Sequence, residues 1–193
     1  MGILLIFGFF IPTTCAGASI QNQRAAIDFS TQGEQLDQSA PLGSEYLWTL
    51  WGENTMVAQA FRPKLPTLSR IELGLGRTYE NAPGTYTVSI RDCLNGQDLT
   101  SKTMLTKELP LNTGDWISIN FNDIQVTPNK RYFIVVTFDT ANNTALVWYT
   151  ANWNPYHRGA PWIYNDFKVP YWDLMFSLWL KFFDMSFRTY GLP

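Results

Sequence analysis

The chain has 193 residues and a formal net charge of −2, from 14 Lys+Arg against 16 Asp+Glu. That balance excludes the basic footprint a nucleic-acid backbone requires, so no nucleic acid partner is expected. Aromatic and charged residues each make up 16%, the second low against a usual share of about 25%, and the length suits one domain, or one domain plus a processed leader.

Residues 1–18, "MGILLIFGFFIPTTCAGA", carry an apolar run from Ile3 to Ile11, a Pro-Thr-Thr break and small residues at Ala16 and Ala18. This pattern reads as a signal peptide cleaved after Ala18, which puts the product outside the cell, secreted or on the cell surface. No Lys or Arg precedes the apolar run, so the positive n-region is missing. The run is shorter than the roughly 20 residues that cross a bilayer, so no permanent membrane span is expected. Pro12 stands three places before Cys15, where a lipoprotein site wants an aliphatic residue. Removal of the leader takes Cys15 away and leaves Cys93 without an intrachain partner, read as a small buried residue.

Residues 19–35 are polar and small apart from Ala25–Phe29, and read as an N-terminal tether with an edge strand. From 36 to 193 short apolar or alternating runs are separated by turn residues, which predicts an all-β domain, an antiparallel β-sandwich of about nine strands. The clearest runs are "MVAQAF" (56–61), "LSRIELGLG" (68–76), "GTYTVSIRD" (84–92), "DWISINF" (115–121), "RYFIVVTF" (131–138), "ALVWYT" (145–150) and "MSFRTYG" (185–191). Ile71, Leu73 and Leu75 alternate with Glu72 and Gly74, giving one wet face, as antiparallel strands have. "RYFIVVTF" is apolar on both faces and is expected at the centre of a sheet. "NAPG", "LNGQD", "LNTGD" and "TPNK" supply the turns. "YWDLMFSLWLKFF" (171–183) has two readings: core strands or a hairpin, or a short helix with Asp173, Ser177 and Lys181 on one face.

In order along residues 36–190, the phrases "VAQAFRPKLPTLSRIEL", "VTPNKRYFIVV", "NPYHRGAPW" and the terminal "FRTYG" resemble a β-sandwich module recurring in secreted and surface proteins of archaea and bacteria. The resemblance implies a jelly roll similar to carbohydrate-binding modules. Relatives tend to have a short Gly/Ser-rich hairpin where this chain has the apolar 171–183.

"WNPYHRGAPWIYN" (153–165) is the main candidate site. Sugar rings stack on indole and phenol faces, and their hydroxyls need planar donors and acceptors, so Trp153, Tyr156, Arg158 and Trp162 read as a ligand platform. The competing reading has Trp153 and Trp162 covering the open end of the core and Arg158 stacked or paired with a carboxylate such as Asp166. Trp48 and Trp51, with Tyr46, form a second aromatic group that reads either as part of the same ligand-binding side or as core packing at the other sheet. Trp116 alternates with Ile117 and Ile119 and is expected to point away from the core with Ser118 and Asn120.

For catalysis the chain offers one histidine, His157, no Gly-x-Ser-x-Gly elbow and no marked carboxylate pair, so an enzyme is not expected. No cofactor is expected. A structural calcium is the one metal considered, at Asp28 and Asp184, with Glu34 and Asp37 as further carboxylates near the two chain ends. Asn142 in "NNT" is a glycosylation sequon. The expected partner is a polysaccharide or cell-surface glycan. The alternative is a structural or self-assembly module of the cell surface that self-associates through its sheet edges.

Overall fold

A computed structural model of the chain describes residues 33–43, 45–50, 56–80, 82, 84–139, 146–165, 171–174 and 183–193. The leader, the Ala25–Phe29 strand, Trp51 and the Asn142 sequon lie outside the described residues. Within them the chain is all-β, and every pair of named strands is antiparallel. No helix among the described residues is long and apolar enough to cross a membrane.

One sheet holds β1 (Gln35–Ala40), β2 (Glu45–Leu50), β4 (Thr67–Arg77), β7 (Asp115–Gln125), β9 (Leu146–Asn152), β12 (Phe183–Met185) and β13 (Phe187–Leu192). The other holds β3 (Met56–Phe61), β5 (Thr85–Arg91), β6 (Thr100–Leu105), β8 (Tyr132–Asp139), β10 (Pro161–Asn165) and β11 (Tyr171–Leu174), in the order β11-β10-β3-β8-β5-β6. Successive strands mostly alternate between the two sheets, as in a jelly roll. The thirteen strands among the described residues exceed the expected nine. The additional ones include β6, whose side chains are mostly exposed and show no apolar alternation. Tyr171–Leu174 pairs with β10, so that part of the ambiguous 171–183 stretch is strand, while 175–182 lie outside the described residues.

The main core fills the space between the sheets, with Ile71, Leu73 and Ile119 from one sheet facing Val88, Ile134 and Val136 from the other. β8 sits between β3 and β5, as its two apolar faces require. Its Ile134 and Val136 enter the main core, and its Phe133 and Val135 join Ala58 and Ala60 in a second cluster on the outer face. Between β12 and β13 Ser186 joins three segments. Its N–H donates to Tyr149 O (2.8 Å), its carbonyl accepts from Gly74 N and from Trp148 Nε1 (3.0 Å each), and its Oγ accepts from Gly43 N (3.0 Å). Cys93, in the turn after β5, is half-buried, and in the full chain, leader included, it is disulfide-bonded.

Candidate functional site

The stretch from Asn152 to Ala160 carries the chain from β9 in one sheet to β10 in the other, across the end of the sandwich. Two consecutive non-glycine residues there have left-handed backbones, Trp153 (φ 73°) and Asn154 (φ 47°). Asn tolerates that region; a bulky ring does so at a cost of about 1–3 kcal/mol. The reversal turns the Trp153 side chain outward, where it is 82% exposed.

Three residues further on, Tyr156 does the opposite. Its ring is buried in the main core and meets Phe187 edge-on at 5.0 Å. Its hydroxyl donates to Gln38 Oε1 (3.0 Å) and accepts from Arg62 N (2.9 Å), and its backbone N–H donates to Asp184 Oδ2 (2.8 Å). Tyr156 thus links the loop to β1, to the end of β3 and to β12. Arg158 donates to Gln38 Oε1 (3.2 Å) and Asn129 Oδ1 (2.6 Å), two amide oxygens, so its fork is spent on the protein. His157 is exposed.

Gly159 is required by space. A Cβ built on it would lie 1.8 Å from the carbonyl oxygen of Ala60, because Ala60 N–H bonds Ala160 O (2.9 Å) and draws the loop against β3. Gly159→Ala is expected to push loop and strand apart and cost about 1–3 kcal/mol, as overpacking does. Urea denaturation checks this, through a lower midpoint at an unchanged m-value.

Asp184 lies fully buried between the sheets. Its Oδ1 accepts from Gln59 Nε2 (3.1 Å), and Gln59 Oε1 in turn accepts from Met185 N (2.9 Å), so this Asp–Gln pair ties β12 to β3 across the core. Burial pushes the carboxyl up to about 6, against the pull of its two N–H donors. Gln59 occupies an inward position between Val57 and Phe61 in "MVAQAF", the one sequence signal that could have disclosed this pair.

The expected platform residues are therefore not brought together. Trp153 is exposed at the bend, Tyr156 is buried, and Arg158 is half-buried on Gln38 and Asn129. Trp162 is half-buried on the outer face of the six-stranded sheet, where it stands opposite Ala58 and packs against its small apolar cluster. The ring that closes the core here is Tyr156, which the core-closing reading did not include, and not Trp153. Trp48 stands opposite Trp148 in the β2–β9 register, and Trp51 lies outside the described residues.

Of the calcium candidates, Asp28 lies outside the described residues, and Asp184 has both oxygens bonded to N–H donors. Glu34 is engaged by Arg70 and Ser69, and Asp37 by Gln38 and Lys64 N. No group of three or more His, Cys, Asp or Glu that would hold a metal occurs among the described residues.

No protein-family profile matches the chain, and no curated protein matches it. The geometry alone carries the functional reading.

Proposed function

We propose that the protein is a secreted, non-catalytic binding module that contacts carbohydrate, or another polymer of the cell surface, through Trp153. The observation that supports this is an indole 82% exposed on a left-handed backbone, beside residues that are bonded inward. Such a backbone is unfavourable for a large side chain, and nothing gained by burial offsets it in the free protein. A ring held open on a braced loop loses little freedom on binding, so stacking against the C–H face of a sugar retains most of its energy.

The test is a glycan-array screen of the full chain, followed by titration of the best ligand into ¹⁵N-labelled protein. The Trp153 indole resonance is expected to shift. Array binding that moves only other indoles, or no binding to any glycan, would count against Trp153 as the contact.

A second reading, assembly with copies or neighbours, is favoured by β7. Its 11 residues pair with β4 alone among the described strands, which leaves a long edge. Concentration-dependent sedimentation without any ligand would support that reading in place of the first.

A further inference from the structure

The outer face of the seven-stranded sheet presents a second surface, built from strands and not from a loop. Directly paired residues share one face of a sheet. The registers therefore set Asn120, Arg70 and Tyr190 in one row and Ser118, Glu72 and Arg188 in the next, across β7, β4 and β13. The intervening residues Ile71, Leu73, Ile119 and Phe187 are buried in the core, which fixes these two rows as outward.

Trp116 stands opposite Gly74 of β4, at the β7 end of the same outward face. Arg188 lies 4.0 Å above the indole ring, and Arg70 lies 3.6 Å above the Tyr190 ring. Glu72 accepts from Arg70, from Arg188 Nη1 (3.0 Å) and from the Tyr190 hydroxyl (2.9 Å). Glu34 takes Nε and Nη2 of Arg70. Arg70 and Glu72 are thus fully engaged. Arg188 is not: its Nε and Nη2 meet no acceptor among the described residues, and its side chain is 37% exposed.

We infer that this face is a binding surface for a neutral polysaccharide chain, with Arg188 as its principal donor. A guanidinium set over an indole and fixed by Glu72 presents its remaining donors as a planar fork, matched to a pair of sugar hydroxyls. The exposed Ser118 hydroxyl and Asn120 amide flank it with further donors and acceptors. The charges of Arg70 and Arg188 cancel those of Glu34 and Glu72 within the patch, so no net field draws a polyanion. A protein partner would call for an apolar centre, whereas the centre here is an ion-pair network. The inference rests on the ligand class proposed for Trp153 but on different residues, so the two can fail separately.

The test is native electrophoresis of the full chain through gels containing hydroxyethylcellulose, xyloglucan or galactomannan, with pectate as the polyanion. Retardation is expected in at least one neutral gel. Ser118→Trp, which adds bulk to the face and removes no bond of the network, and Arg188→Lys, which keeps the charge and loses the fork, are each expected to weaken the apparent affinity tenfold or more. The thermal midpoint of Ser118→Trp is expected to stay at the wild-type value, which separates blocked binding from misfolding. Retardation abolished by Trp153→Ala but untouched by Ser118→Trp and Arg188→Lys overturns this inference and leaves the loop reading standing; the reverse pattern removes the loop and keeps this face. Mobility unchanged in every neutral gel, or retardation in pectate alone, also overturns it.

Discussion

Replacing Tyr156 by Ala is expected to cost about 3–5 kcal/mol of folding free energy, the range for a large ring removed from a core. Tyr156 closes the end of the sandwich, its ring against Phe187 and its hydroxyl between Arg62 N and Gln38. Tyr156→Phe separates the two contributions. It keeps the ring and strips Arg62 N–H of its acceptor, while Gln38 Oε1 retains Arg158 as a donor, at a cost of about 1–3 kcal/mol. Equilibrium denaturation of both variants checks the order, with the alanine variant the less stable. A phenylalanine variant as damaged as the alanine one would show that the hydroxyl, and not the ring, holds the loop down.

The second large effect depends on pH. Asp184 is raised to about 6 in the folded protein by burial, against an ordinary value near 4 in the unfolded chain. The folded state therefore holds this proton more tightly than the unfolded one. Its contribution to stability is present in full below about pH 4 and is lost as pH rises through 6. Asp184→Asn cannot titrate, and its amide turns an N–H toward one of the two donors, Tyr156 N or Gln59 Nε2, that the carboxylate satisfies. The deficit of the variant relative to wild type is expected to be larger at pH 4 than at pH 7, by on the order of 2–3 kcal/mol. Denaturation midpoints of the two proteins across that range measure it. A deficit that instead grows toward pH 7 would mean that the two N–H donors outweigh burial and keep the carboxylate ionised throughout.

The all-β sandwich was legible because its central strands carry strong signals. "MVAQAF" coincides with β3, and the two-sided "RYFIVVTF" marks β8 as interior. β6 was not legible, since this edge strand is mostly exposed and sends only Met104 against the main core, too little for an apolar pattern. At the candidate site, composition located the loop but could not assign its rings. Trp153 and Tyr156 are three residues apart in a bend, where no strand or helix period says which side chain turns in. Gln38, Gln59 and Asp184 decide that, and they come from β1, β3 and β12, far apart in sequence. The face centred on Glu72 was half legible. Alternation turned Trp116, Ser118 and Asn120 outward, but only the pairing of β4 with β13 brings "RIEL" beside "FRTYG".

The division of roles within one loop is the central claim: Tyr156 holds it to the core, and Trp153 is left open for contact. Trp153→Ala tests it most directly, with thermal midpoint and retention on the best-bound glycan measured on the same sample. The expected result is a midpoint unchanged within about 1 °C, because an exposed side chain contributes little to stability, together with a tenfold or greater loss of affinity, by analogy with bases stacked on aromatic side chains. A midpoint lowered by roughly 10 °C, as a loss of about 3–5 kcal/mol would give at this chain length, with retention unchanged, would contradict it and make Trp153 part of the closure.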